Sequence, residues 1–176
     1  VFVAFALIIF LLITLYIDVI KLLIPNTLYH EGLKIIPIVL LANICLGIYY
    51  NLSVWYKVTN KTRYAAIISS FGGTVTIGLN FLLIPKLGYM GAAWSTLACY
   101  ATMMLISFYL GQKHFKIKYH TNSLAKWFFI TILVFCCSQV FNAEICRNIQ
   151  IDNTVLFFLY IIFMYVQLKD VLNKKN

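Results

Sequence analysis

Charge is what this sequence has least of: 11% of its 176 residues are Asp, Glu, Lys or Arg, against 62% hydrophobic. Ordinary soluble domains are about 25% charged and about 45–50% apolar. So little polar surface excludes a water-soluble globule and makes a lipid bilayer the solvent. Strict alternation in ~10-residue pieces, which a membrane β-barrel needs, is also missing. An all-α membrane protein follows. The five cysteines (45, 99, 136, 137 and 146) have no CxxC spacing and no histidine at ligand distance in sequence. Within apolar runs a thiol acts as a small hydrophobe, so no metal site is expected. No P-loop, GxSxG, HExxH or phosphate-cradling glycine run occurs, and the connections are short, so an enzyme is not expected either. The chain opens at Val1 inside an apolar run with no basic stretch before it. This argues against a signal peptide and reads as a piece of a longer membrane protein.

What is present is apolar length. Uncharged stretches cover 1–17, 35–56, 64–85, 87–112, 127–143 and 153–168. A spanning helix needs ~20 apolar residues. The pattern predicts six transmembrane helices over approximately 1–24, 35–56, 64–85, 88–111, 126–143 and 150–168.

The net charge of +9 is not spread evenly. It collects in the second connection (Lys57, Lys61, Arg63), the fourth (Lys113, Lys116, Lys118, Lys126) and the C-terminal tail, while the other connections balance. Basic residues gather on the cytoplasmic side of membrane proteins, so these loops and the C-terminus are expected inside. They read as solvated connections rather than a specific anionic-lipid or nucleic-acid site, being too sparse for a dense polybasic patch. Trp55 and Tyr56 beside Lys57, and Trp127 beside Lys126, read as an aromatic belt. Pro25, Pro37 and Pro85 fall at the outer ends, where "LLIP" at 22–25 and again at 82–85 is expected to close an outward-running helix.

Lipid gives helices no hydrophobic reason to associate, so small and polar residues mark the packed or wetted faces. One stripe on the third helix joins Ala66, Ser69, Gly73, Thr76 and Asn80, and a matching one on the fourth joins Gly91, Ser95, Ala98 and Thr102. On the second helix Asn43, Gly47 and Asn51 share a face. Gly73, Gly91, Ser95 and Ala98 are the expected packing residues. Asn43, Asn51, Ser69, Thr76 and Asn80 are either interhelical glue or the wall of a substrate cavity. Asp18 and Lys21, one turn apart, read as an ionisable pair at the outer interface. The neighbouring His30 and Glu31 read as an exposed outer loop.

The segment "YHEGLKIIPIVLLANICLGIYYNLSVWYKVTNKTRYAA" and the following "LNFLLIPKLGYMGAAWSTLACY" resemble the C-terminal half of bacterial oligosaccharide flippases. These are the polysaccharide biosynthesis proteins of the multidrug/oligosaccharidyl-lipid/polysaccharide exporter superfamily. The resemblance covers roughly residues 1–120, and its specific part is Asn-x-x-Leu-Ile-Pro-x-x-Gly-x-x-Gly-Ala-Ala-x-x-Thr, from Asn80 to Thr96. It implies a 12- or 14-helix transporter with two lobes around a central cavity, these six helices being the C-terminal lobe and the N-terminal lobe being absent. It further implies carriage of polyprenyl-pyrophosphate-linked oligosaccharide (an O-antigen, capsule or exopolysaccharide repeat) across the bacterial inner membrane by alternating access. No cofactor is implied, and coupling would be to a proton or sodium gradient. The partners would be the bilayer, the lipid-linked oligosaccharide and the missing lobe. A drug or cation exporter of the same superfamily is one alternative. A membrane glycan ligase or polymerase is another, which would carry a long outer loop with catalytic residues.

Overall fold

In a computed structural model, residues 2–22, 24–114, 121–144 and 149–173 are described. They are helical apart from short connections, and no strand occurs among them. The order is α1 (Phe2–Leu15), α2 (Ile17–Leu22), a 3-10 stretch (Thr27–Ile35), α3 (Ile36–Leu52), α4 (Val54–Val58), α5 (Arg63–Leu87), α6 (Tyr89–His114), α7 (Thr121–Glu144) and α8 (Ile149–Asn173). Three segments are long and apolar enough to cross a membrane: His30–Val58, Arg63–Leu87 and Tyr89–Lys113. These match the second, third and fourth expected spans. The apolar stretches Phe2–Leu15, Lys126–Cys136 and Phe157–Gln167 are shorter.

The chain divides into two compact units, Val1–Leu33 with His120–Asn176, and Lys34–Tyr119. In the first, α1 packs on α7 and α8, which also meet each other. Ala4, Leu7, Leu11 and Thr14 recur at three- and four-residue spacing and are buried, so one stripe of α1 faces its neighbours. Phe10 meets Phe135 edge-on at 5.9 Å. Hydroxyl pairs supply the polar part of this core. Thr131 donates to the Trp127 carbonyl (2.7 Å), which leaves its oxygen to accept from the Tyr160 hydroxyl, also at 2.7 Å. The Tyr16 and Thr154 hydroxyls lie 2.9 Å apart.

The expected first helix is interrupted at Tyr16, and α2 buries nothing. The apolar stripe ends at Leu15, and the exposed Asp18 and Lys21 that follow give the chain no face to pack. No ion pair joins those two side chains. The 27–35 segment is helical rather than an open loop, and His30 Nε2 lies 3.2 Å from the Ile24 carbonyl; Glu31 is exposed.

In the Lys34–Tyr119 unit, α6 lies between α3 and α5 and packs on both. Pro37 sits in the first turn of α3, where a missing N–H costs nothing. Pro85 differs from expectation: α5 runs through it to Leu87, and Gly88 alone makes the turn. Proline perturbs the preceding turn more than the residues after it, so two further helical residues are tolerated. Gly88 has φ +56° and ψ −134°, a conformation open in practice to glycine alone, and its N–H caps the Ile84 carbonyl at 2.8 Å. Directly after the turn the two helix backbones approach closely. A Cβ on Gly91 would fall 2.6 Å from the Leu83 carbonyl group.

Candidate functional site

The inward line of α5 is Ile68 and Gly72, continued by the half-buried Val75, Leu79 and Leu83. The stripe expected to pack is turned about one residue away. Gly73 is exposed with nothing within 4 Å of an added Cβ, whereas a Cβ on Gly72 would meet the Met103 thioether at 2.7 Å. Gly72 also accepts the Cys99 thiol at 3.2 Å through its carbonyl. Adjacent glycines and adjacent serines (69 and 70) make the two registers equal in composition, and burial of Ile68 decides between them. On α6, Gly91 and Ser95 are buried as expected and Ala98 is half-buried.

Two polar faces are left uncovered. On α3, Ala42, Cys45, Tyr49 and Leu52 turn inward, so Asn43 and Asn51 are exposed on the far side. Each amide donates to its own helix, Asn43 to the Val39 carbonyl and Asn51 to the Gly47 carbonyl, both at 2.9 Å. On α5, Ser69, Ser70, Gly73 and Thr74 are exposed. The hydroxyls of Ser69 and Thr74 donate to the Ala66 and Ser70 carbonyls, and Thr76, half-buried, to that of Gly72. Each of these hydroxyls spends its single donor on the helix and keeps an oxygen as acceptor, while each Asn amide keeps its oxygen and a second N–H.

Further along α5, a cleft of about 440 Å³ is lined by Ile77, Asn80, Phe81, Ile84 and Pro85. The Asn80 amide oxygen is buried without a hydrogen-bond partner. Pro85 has no N–H, so the Phe81 carbonyl one turn earlier loses its regular helical donor as well. The cleft is thus a largely apolar surface whose one polar side chain, the Asn80 amide, brings an unsatisfied acceptor oxygen beside its own N–H donors. It offers no nucleophile, acid or base. No group of three His, Cys, Asp or Glu residues among those described is placed to hold a metal.

The third feature is the basic end of the same unit. Here α4 ends in a tight reversal: Lys61 N–H donates to the Tyr56 carbonyl (2.8 Å) and Asn60 N–H to the Lys57 carbonyl (3.4 Å). Asn60 takes φ +53°, the left-handed position that closes this helix terminus and that Asn tolerates better than most residues. Lys57, Lys61 and Arg63 are all exposed around it. The aromatics beside them are packed within the unit: Trp55 and Tyr56 are buried, and the Trp55 and Tyr64 rings meet at a tilt with centroids 5.4 Å apart. Trp127 is likewise buried on α7, well after that helix begins. An aromatic beside a lysine at a helix end has the same sequence signature whether it meets headgroups or a neighbouring helix. Gly111 on α6 lets Trp55 approach, with an ideal Cβ there only 3.1 Å from the indole, and this brings the exposed Lys113 to the same end. Lys116 and Lys118 lie outside the described residues.

No family model matches the chain, nor does any curated protein or solved structure.

Proposed function

We propose that this chain is the six-helix C-terminal lobe of a 12- or 14-helix exporter in the bacterial inner membrane, with its C-terminus in the cytoplasm. Its cargo is a polyprenyl-pyrophosphate-linked oligosaccharide, moved by alternating access with no chemical step of its own. The proton or sodium gradient drives the cycle, and a second lobe completes the cavity. The support is the resemblance of the 29–100 region to oligosaccharide flippases together with one structural observation, the uncovered polar faces of α3 and α5. The hydroxyls and one N–H of each amide are bonded to their own helix, but the amide oxygens and second N–H groups are costly against hydrocarbon, which favours water, ligand or protein on these faces. Free acceptor oxygens beside amide N–H donors suit a ligand rich in hydroxyls, which both donate and accept, as those of a sugar do. The drug or cation exporter reading is weaker, because residues 34–119 contain no Asp or Glu to meet a cationic cargo.

The experiment replaces Asn43, Asn51 and Asn80 together by Leu in the full-length protein and measures surface glycan in a strain lacking its own exporter. The expected result is at least a tenfold loss of export at unchanged protein level. Unchanged export would refute the cavity assignment. Impermeant thiol reagents on Ser69→Cys and Thr74→Cys distinguish the alternative: labelling in at least one state supports a wetted face, and none in any state identifies a helix contact.

A further inference from the structure

The Lys34–Tyr119 unit has a chemical asymmetry that the transport reading does not use. It holds eight lysines and arginines and no carboxylate side chain at all. Its described cations fall into two sets. Lys34 and Lys86 stand at the two ends far from α4, at the start of α3 and the end of α5. Lys57, Lys61, Arg63 and Lys113 come together from two separate stretches of sequence, and the fold is what joins them. The left-handed Asn60 turn places the first three within one reversal of the chain. The Gly111–Trp55 contact clamps the last turns of α6 against that reversal. All four are exposed. Below them Trp55, Tyr56 and Tyr64 form a packed aromatic layer, with Trp55 and Tyr56 5.4 Å apart.

We propose that this end of the unit is a binding surface for anionic phospholipid headgroups in the leaflet it faces. Within the unit no carboxylate competes for the four cations, so a phosphate diester is the counter-charge available to them at the depth where a bilayer presents one. Lys113 and the Lys57–Arg63 turn thus bring exposed charge from two helix ends to one end of the unit. Each basic residue near an anionic leaflet strengthens association about fivefold, within a Debye length of the surface. The inference needs the chain to lie in a bilayer and does not depend on what it transports.

The test uses the full chain in detergent with an equimolar mixture of phosphatidylglycerol and phosphatidylcholine, and reads the retained lipids by native mass spectrometry. The wild-type chain is expected to retain phosphatidylglycerol at several times its share of the mixture. Changing Lys57, Lys61, Arg63 and Lys113 to Gln together is expected to return the ratio to that of the mixture, and Lys113→Gln alone to lower it partway. Lys34→Gln with Lys86→Gln serves as the control and is expected to leave the enrichment in place. All these side chains are exposed, and unchanged melting temperatures verify that the variants are folded. Equal retention of the two lipids by wild type, or equal losses in the control and the fourfold variant, would overturn the proposal. So would displacement of phosphatidylglycerol by millimolar inorganic phosphate, because the ligand would then be a free anion rather than a lipid surface.

Discussion

Replacing Gly91 with alanine adds one methyl group where the α6 backbone closely approaches that of α5. The added carbon would lie 2.6 Å from the Leu83 carbonyl carbon and oxygen and 2.9 Å from the Ile84 nitrogen. These are backbone atoms of a helix and cannot swing aside. Ordinary contact begins near 3.4 Å, so the helices must separate by about 0.8 Å at this level. A gap of that size forfeits roughly a quarter to a half of each dispersion contact it opens. Overpacking of this kind costs about 1–3 kcal/mol, and there is no hydrophobic compensation between helices in lipid. Two neighbouring glycines calibrate the effect. At Gly72 the obstacle is the Met103 thioether at 2.7 Å, a flexible side chain that can give, so Gly72→Ala should cost less. At Gly73 nothing lies within 4 Å, and alanine gains up to about 1 kcal/mol of helix propensity. Unfolding of the purified chain by denaturing detergent should rank stability as Gly73→Ala, then Gly72→Ala, then Gly91→Ala at the bottom. A Gly91→Ala chain within about 0.5 kcal/mol of wild type would refute the close-approach reasoning, as would a Gly73→Ala chain less stable than Gly91→Ala.

Gly88→Ala forces a side chain into φ +56°, ψ −134°, and should destabilise the α5–α6 hairpin by about 1–3 kcal/mol in the same assay. A Gly88→Ala chain as stable as wild type would show that the turn relaxes. In the other unit, Thr131→Val strands the buried Tyr160 hydroxyl and should cost about 1–3 kcal/mol. Tyr160→Phe leaves Thr131 still donating to Trp127 and should cost less, about 0.6–2 kcal/mol. A Thr131→Val loss smaller than that of Tyr160→Phe would contradict the reading that the Tyr160 hydroxyl donates to Thr131.

The features legible in the sequence were those governed by the solvent. Apolar length between charges locates α3, α5 and α6, because a segment carrying no charge over twenty residues has few alternatives in lipid. Gly91 and Ser95 were legible because a small residue directly after a turn faces the helix it has just left. The register of α5 was not: Ser69-Ser70 and Gly72-Gly73 offer two equally small faces, and only the position of Ile68 between α5 and α6 selects one. The break at Tyr16 was hidden because Ile17 and Val19 keep the run apolar while the packing stripe has already ended. Among the candidate site residues, Asn43 and Asn51 do share an exposed face. The convergence of Lys113 with the 57–63 turn required the Gly111–Trp55 contact, which no spacing in the sequence encodes.

That the three long helices thread a bilayer is the claim on which the rest stands, and α5 offers the most direct measurement. With the native cysteines replaced, Lys61→Cys, Lys113→Cys and Lys86→Cys are each challenged with a membrane-impermeant maleimide in intact cells and again after permeabilisation. Because α5 and α6 lie between these positions, Lys86→Cys should label in intact cells, while Lys61→Cys and Lys113→Cys label only after permeabilisation. Labelling of Lys61→Cys and Lys86→Cys from the same side would contradict a spanning α5.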